Sequence, residues 1–381
     1  MQTSESPVVE ATSPAHFAVG PSVRRHILLL FAFLVAASSV LDIQLREWSL
    51  NEGKRGFGFE TIMAGDAAKP WAFRLLVPRA VRVIDEHLPA IGRRLLESDR
   101  LGRAIESRYW QGKDRGIQLS KKLQREYVLV ALFMFSSYLG ALYFLRALAI
   151  RVVGESSAFS NLAPFGFAVL LPLTFVHGSY FYDPVELLFM ASFFYFVGLR
   201  RLVTAAIVVF LATLNKESDL LLPMLIAPLL AATYGRRTCV RPYVVLQLAA
   251  ACGYVIVRWS AFDGSAQAME YHLPGNLAFW SDWRSYLRFS GLYNGIVPTP
   301  YGANVITIVV LAALIGFRQP FDWPVQCLVL ATVVSLPLLL LFCFQDELRN
   351  LSLTFVPLFL VLARSVDGFW PRQVAARTSS A

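Results

Sequence analysis

The stretch EYVLVALFMFSSYLGALYFLRAL, residues 126–148, decides the fold of this chain. It contains one acidic and one basic residue, and both lie near its ends. A helix needs about 20 apolar residues to cross roughly 30 Å of hydrocarbon, and this stretch is long enough. We therefore predict a membrane-spanning helix here.

Similar apolar blocks recur along the whole chain, in which 56% of the residues are hydrophobic and only 16% are charged. This composition is not that of a soluble domain. We predict an all-α, polytopic transmembrane bundle of about ten spans, with a range of nine to eleven. The candidate spans are about 26–45, 126–148, 158–177, 184–199, 202–215, 219–234, 242–259, 301–317, 324–344 and 350–364. The fifth, sixth and tenth are short, which also fits hairpin arms or re-entrant segments.

The positive-inside rule predicts the orientation. With the long segment after the first span set aside, one set of helix ends carries thirteen Arg residues, against five Lys or Arg at the opposite ends. We therefore expect a multi-pass protein of the inner (cytoplasmic) membrane with both termini in the cytoplasm. Residues 1–22, rich in Ser, Pro and Ala, are expected to be a disordered cytoplasmic tail. We expect residues 23–366 to form the transmembrane domain and residues 367–381 to form a second cytoplasmic tail.

Two long connections are then extracytoplasmic, residues 46–125 and 260–300. The first carries seventeen Lys or Arg against ten Asp or Glu, although long loops translocate largely regardless of charge. Within it, apolar pairs alternate with Arg at helical spacing, which predicts amphipathic helices on the membrane surface. The net charge of +9 thus fits contact with membrane lipids, and nothing in the sequence resembles a nucleic-acid module.

The sequence does not contain the usual motifs of zinc-binding, disulfide-linked or nucleotide-binding proteins. The four cysteines form no C-x-x-C pair or Cys/His cluster, so neither a zinc site nor a disulfide framework is predicted. The sequence also lacks a Walker loop and the G-x-G-x-x-G pattern. Nucleotide-driven pumping is therefore disfavoured.

Four polar clusters fall on the same predicted side of the membrane. They are LDIQLRE (41–47), HGSYFYDPVE (177–186), NKESD (215–219) and FQDELRN (344–350). Charges near hydrocarbon cost on the order of 2.5 to 3.5 kcal/mol each at mid-membrane, so they usually pair or line a wet cavity. Four clusters at one face therefore predict a site.

Each cluster also has a simpler interpretation. Asp183 followed by Pro184 is a typical helix start, and Asn215 or Ser218 is suited to cap the next helix. Glu347 and Arg349 could be an exposed ion pair, and a lone His272 is more often structural than catalytic. A helix cap does not require Lys216, however. The sequence alone thus predicts that Lys216→Met folds normally and loses function.

Carboxylates, amides and cations at the outer face suit a lipid-linked phosphate donor, because cations bind phosphate while a carboxylate accepts the proton of an attacking hydroxyl. The motifs RLLVP (74–78), YDPVE (182–186), NKES (215–218) and DELRN (346–350) resemble those of the C-type glycosyltransferase (GT-C) superfamily. That resemblance implies a polytopic glycosyltransferase that moves a sugar from a polyprenyl-phosphate donor to a glycan, lipid or protein acceptor.

The resemblance also suggests roles for residues of this chain. Asp42, at the start of the first outer loop, is the candidate base, with Asp183 or Glu217 as substitutes. The candidate phosphate ligands are Arg74, Lys216 and Arg349. Further candidates that line the site are Asn215, Asp346, Glu347 and His272. Some members use a divalent metal, and the carboxylates would permit Mg²⁺ or Mn²⁺.

Other functional classes remain open at this point. A secondary transporter or a lipid flippase would also surround a cavity with ionisable groups, although its charges are expected near mid-span. A surface-polysaccharide polymerase or ligase, or a non-catalytic membrane subunit, would share the large outer loops. The location of the polar clusters distinguishes transport from transfer.

Overall fold

The computed structural model describes most of the chain. The described residues are 21–54, 56–112, 116–155, 157, 159–175, 178–260, 271–287, 289–293, 297–300, 307, 310–311, 320–345 and 347–378. Most of the proposed tail 1–22 and of the proposed span 301–317 lies outside them. Of the proposed tail 367–381, the residues up to Thr378 continue the last helix.

The described chain is almost entirely helical. Its first helices are α1 (Pro21–Trp48), α2 (Phe59–Ala64), α3 (Leu76–His87), α4 (Ala90–Leu96), α5 (Asp99–Arg108), α6 (Lys121–Val153), α7 (Phe159–Leu170) and α8 (Asp183–Gly198). The later ones are α9 (Leu202–Asn215), α10 (Leu222–Leu225), α11 (Ala227–Tyr234), α12 (Val240–Ser260), α13 (Leu273–Ser281), α14 (Trp323–Phe342) and α15 (Phe355–Thr378). Short 3₁₀ turns occupy Trp71–Phe73, Leu171–Thr174, Glu217–Leu221, Trp283–Leu287 and Leu348–Thr354.

One short antiparallel hairpin departs from the all-α expectation. Strand β1 (Phe289–Tyr293) pairs with β2 (Val297–Pro300), and Tyr293 lies opposite Val297. Aromatic and β-branched residues such as these favour strands. The hairpin lies in the predicted outer loop 260–300 and leaves the helical class unchanged.

Five helices in the described chain are long and apolar enough to cross a membrane. They are His26–Trp48, Lys121–Val153, Val240–Ser260, Trp323–Phe342 and Leu348–Gly368. A sixth candidate is the pair Glu217–Leu225 and Ala227–Tyr234, which is bent by 42°. The helical class is therefore confirmed, and the candidate spans support a membrane protein.

The count of about ten spans stays a prediction. Helices occupy all nine proposed positions that lie mainly within the described residues, but α8 has 16 residues and α9 has 14. Both are shorter than the roughly 20 residues of a full crossing. Phe159–Thr174 is likewise a shorter apolar helix.

Helix α6 lies at the centre of the bundle and packs against α1, α7, α8 and α15. Its start is capped by Ser120, whose hydroxyl accepts a hydrogen bond from the Leu123 amide at 3.2 Å. Large apolar side chains nevertheless face outward elsewhere, including Phe31 (66% exposed) on α1 and Val203 (75%) on α9. Such faces are expected where helices meet hydrocarbon.

The segment 46–125 contains helices α2 to α5, as the amphipathic pattern predicts, and it is packed onto the bundle. Arg125 of α6 binds both Asp85 and Glu97, and the Gln124 amide donates to the Leu96 carbonyl at 2.6 Å. The Leu75 amide donates to the Leu214 carbonyl at 3.2 Å. That last contact brings Arg74 to the end of α9, where NKESD begins.

Candidate functional site

The candidate site is built around the start of α8. The helix begins at Asp183, with Tyr182 at the N-cap position and no side-chain cap. Instead, Asp183 Oδ2 accepts a hydrogen bond from the Tyr180 amide at 2.8 Å. The helix-start interpretation of Asp183 and Pro184 therefore fits the beginning of α8, although no side chain caps it. Glu186, one turn along, points into the protein and is only 1% exposed.

Lys216 forms a buried triangle with Glu186 and Ser352. Its Nζ lies 2.8 Å from Glu186 Oε2 and 3.3 Å from Ser352 Oγ, and the Ser352 hydroxyl donates to Glu186 Oε1 at 2.6 Å. The three residues come from α8, the end of α9 and the turn before α15. A buried cation and carboxylate are stable together only with such close pairing and additional hydrogen bonds.

The two arginines of the site lie over a pair of stacked tyrosines. Tyr180 and Tyr182 are parallel to within 9°, with ring centroids 5.2 Å apart. The Arg349 guanidinium lies 4.3 Å from the Tyr180 ring centre, and that of Arg74 lies 4.9 Å from the Tyr182 ring centre. Burial raises the pKa of the Tyr180 hydroxyl, so the ring stays neutral beside its cation. Through cation–π contacts, the tyrosine pair thus links two arginines that are far apart in the sequence.

Each arginine is also paired with carboxylates. Arg349 pairs with Glu347 and lies 3.6 Å from Asp183 Oδ2, while Arg74 pairs with Glu217. Arg349 and Glu347 are 8% and 14% exposed. Their pair is therefore buried within the site, against the exposed-pair interpretation.

The segment NKESD does not cap a helix through its side chains. The Asn215 amide donates to the Tyr182 carbonyl at 3.0 Å, across to the start of α8. The 3₁₀ turn Glu217–Leu221 has no side-chain cap. Asn215, Lys216 and Glu217 therefore connect α9 to the other parts of the site.

Several buried polar atoms of the site have no hydrogen-bond partner among the described residues. They are Arg74 Nε, Asp183 Oδ1, Asn215 Oδ1, Ser218 Oγ, both carboxyl oxygens of Asp219, and Arg349 Nε. Asp219 and Asn215 are 0% and 1% exposed. Because buried polar groups in native proteins are nearly always hydrogen-bonded, these atoms indicate a place for a bound group or a proton.

Among the described residues of the site, carboxylates outnumber cations. The carboxylates are Asp183, Glu186, Glu217, Asp219 and Glu347, and the cations are Arg74, Lys216 and Arg349. A void of about 20 Å³ lies beside them and is lined in part by Asp183, Glu186, Arg349 and Ser352. It has room for about one water molecule. A phosphate group would need the surrounding side chains to move.

Two of the residues singled out from the sequence, Asp42 and His272, are not in this cluster. Asp42 pairs with Arg46 at 2.9 Å and Arg108 at 3.0 Å, and accepts a hydrogen bond from the Tyr109 hydroxyl at 2.8 Å. His272 precedes α13 and packs against the Phe344 ring, with centroids 4.4 Å apart. Asp346 lies outside the described residues. The structure thus gathers Arg74, Asp183, Asn215, Lys216, Glu217, Glu347 and Arg349.

Sequence reasoning did not single out five members of the site, which are Glu186, Asp219, Ser352, Tyr180 and Tyr182. Glu186 was visible in YDPVE as a possible helix-start residue, but not as the partner of Lys216. Tyr180 and Tyr182 lie in the quoted segment HGSYFYDPVE, whereas Ser352 carries no sequence signal of its own. Gln44 is a further buried neighbour, because its amide donates to the Tyr180 carbonyl at 3.2 Å and its Oε1 accepts from the Tyr138 hydroxyl.

The described residues do not fit the divalent metal that the GT-C resemblance allows. None of them form a group of three or more His, Cys, Asp or Glu able to hold a metal ion. Four of the five carboxylates of the site, all except Asp219, are instead engaged with Arg74, Lys216 and Arg349.

Comparison of the whole chain with protein-family models, with curated proteins and with solved structures finds no match. The resemblance to glycosyltransferases therefore depends on the short motifs alone. The function must be argued from the site.

Proposed function

We propose that this chain is an integral-membrane glycosyltransferase that moves a sugar from a polyprenyl-phosphate donor to an acceptor on the extracytoplasmic face. The observation that carries the proposal is the meeting of Arg74, Lys216 and Arg349, from three separate elements, with the carboxylates at the start of α8. Apolar helices around this cluster supply a surface for the lipid chain.

The arginines are the groups that would hold the donor phosphate. Arg74 Nε and Arg349 Nε are buried donors without a partner, and guanidinium groups bind phosphate oxygens well. Lys216 is committed to Glu186 and Ser352, so its role is to hold α8 and α9 together beneath the phosphate. Phosphate binding requires the void of about 20 Å³ beside the cluster to open.

Asp183 is the strongest candidate for the base. Its Oδ2 is held by the Tyr180 amide, which leaves Oδ1 free to accept a proton. The acceptor hydroxyl would lose its proton to Oδ1 while its oxygen bonds to the sugar and the sugar–phosphate bond breaks. The arginines would stabilise the charge left on the phosphate. Asp42, engaged by two arginines and a tyrosine, is less suited to this role.

The test is sugar transfer by the purified protein in lipid nanodiscs, using a panel of labelled polyprenyl-phosphate sugars. Asp183→Asn should keep its melting temperature and lose roughly 10²- to 10⁴-fold in turnover, the usual range for a general base. Asp42→Asn is the matched control and should retain most turnover. Full activity of Asp183→Asn, or no transfer by the wild-type protein from any donor, would reject the proposal.

A second function, proton-coupled transport, is favoured by Asp219. A fully buried carboxyl without a hydrogen bond is stable only if it takes up a proton or a cation. Asp219 lies in the bent pair of helices, and broken helices form the ion sites of many transporters. In this case Asp219→Asn would abolish proton flux into proteoliposomes loaded with a pH-sensitive dye. A transferase would show no such flux in the wild-type protein.

A further inference from the structure

A second cavity lies at the opposite end of α8 from the polar cluster. Its volume is about 320 Å³, within the range of ligand pockets. Its apolar lining residues include Leu148, Phe194 and Leu229, and Arg151, Arg200 and Trp323 also line it. With 16 residues at roughly 1.5 Å each, α8 is about 24 Å long, and the cluster lies at its start while Phe194 and Gly198 line the cavity towards its end.

Local contacts hold the side chains of Arg151 and Arg200 in place. Arg151 Nη2 donates to the Gly198 carbonyl at 2.7 Å, and a Cβ at position 198 would lie 3.5 Å from the Arg151 guanidinium carbon. Arg200 has a φ of +60°, a left-handed conformation that non-glycine residues rarely adopt. Its guanidinium lies 5.9 Å from the Tyr234 ring centre. The chain therefore keeps a cation at this position despite a conformational cost.

The cavity is positively charged. None of the described residues that line it is acidic. The nearby Asp322, which precedes Trp323, is paired with Arg364. Two guanidinium groups without a lining carboxylate favour an anion that accepts several hydrogen bonds, as a phosphate does.

We propose that this cavity binds the phosphate headgroup of an anionic membrane lipid. The helix that follows Arg200 exposes apolar side chains, with Val203 at 75% and Ile207 at 55%. These provide a surface along which acyl chains can lie while the phosphate reaches the arginines. Trp323 fits this position, because Trp is enriched at the headgroup level of membranes. Such a site does not depend on the proposed transfer reaction.

The experiment measures lipid binding to the purified full-length protein by native mass spectrometry in detergent. Phosphatidylglycerol is the probe, phosphatidylcholine is the zwitterionic comparison, and inorganic phosphate tests the anion alone. The variant Arg151→Gln/Arg200→Asn removes both cations, and Asn tolerates the left-handed backbone at position 200. The matched control, Arg236→Gln/Arg237→Gln, removes two exposed arginines that follow α11 and do not line the cavity.

We expect the lining variant to lose roughly tenfold or more in affinity for phosphatidylglycerol, while the control stays near the wild-type value. Melting temperatures without lipid should be similar for all three proteins. Equal loss in both variants would mean that binding depends only on overall charge and would overturn the proposal. Wild-type affinity in the lining variant, or inorganic phosphate that binds as tightly as the lipid, would also overturn it.

Discussion

The structure changes the sequence-based prediction most at Lys216, where it alters the expected effect of the Lys216→Met substitution on stability. As a lone cation near hydrocarbon, it should be replaceable by Met without loss of stability. In the structure, however, it is 5% exposed and pairs with Glu186, which is itself only 1% exposed. Removing one partner of a buried pair leaves an uncompensated charge. Loss of function in Lys216→Met alone would therefore not separate a functional role from a structural one.

We predict that Lys216→Met destabilises the protein by about 3–5 kcal/mol, the usual cost of breaking a buried pair. Lys216→Met/Glu186→Gln should recover most of this loss, because the glutamine amide oxygen can still accept the Ser352 hydroxyl. Unfolding by denaturing detergent measures both variants. The control is Lys121→Met, whose exposed pair with Asp99 contributes little. A double variant as unstable as the single one would show that the pair is not the cause.

The ion pair between Asp85 and Arg125 joins the segment 46–125 to α6. We predict that it makes the stability of the protein depend on pH. Hydrogen bonds from Arg125 lower the pKa of Asp85 below its ordinary value of 3.8. A carboxyl with a lowered pKa stabilises the fold above its unfolded pKa and loses that contribution as the pH falls through its folded pKa. Wild-type protein should therefore melt above Asp85→Asn at pH 6, with the gap closing below about pH 4. A gap independent of pH would contradict this.

At the scale of elements, the position of NKESD depends on how closely α9 and α12 pack. A Cβ added to Gly253 of α12 would lie 2.9 Å from the Phe210 carbonyl oxygen and 3.1 Å from Thr213 Cβ. Small residues allow such close approach between helices in membranes. Because Asn215 and Lys216 directly follow this contact, a shift of α9 would also displace the site.

We predict that Gly253→Ala destabilises the protein by about 1–3 kcal/mol, the usual cost of overpacking. Gly166→Ala on α7 is the control, because nothing lies within 4 Å of its added Cβ. This control should be neutral or more stable by up to about 1 kcal/mol, since Ala favours helix more than Gly does. Unfolding in detergent measures both. Equal effects of the two substitutions would show that close packing at Gly253 is not the cause of the destabilisation.

The elements of the bundle were largely predictable from the sequence, but the partners within the site were not. Apolar blocks such as residues 126–148 predict helices because their length and composition are local properties. In contrast, Lys216 is 30 positions from Glu186 and 136 from Ser352. Such pairing depends on the packing of α8, α9 and the turn before α15. The short motifs predicted which segments meet, and only the fold shows which atoms pair.

At the scale of the whole molecule, the two ends differ in chemistry. One end holds the polar cluster, onto which segment 46–125 packs through Arg74 and Glu217. The other holds Arg151, Arg200 and the exposed Arg236 and Arg237. Positive charge on short connections is typical of the cytoplasmic side. The cluster and its adjoining segment are therefore expected on the extracytoplasmic side, where a polyprenyl-phosphate donor would meet its acceptor.

Cysteine labelling in intact cells tests this orientation, starting from a variant in which the four native cysteines are replaced by Ala. Ser107→Cys, exposed on α5 of the segment 46–125, should react with a membrane-impermeant maleimide in intact cells. Arg237→Cys, exposed at the opposite end, should react only after permeabilisation. The reverse pattern would place the cluster in the cytoplasm and remove the proposed outer-face transfer. Because both sites are exposed in the fold, a difference in labelling would report the side of the membrane and not burial within the protein.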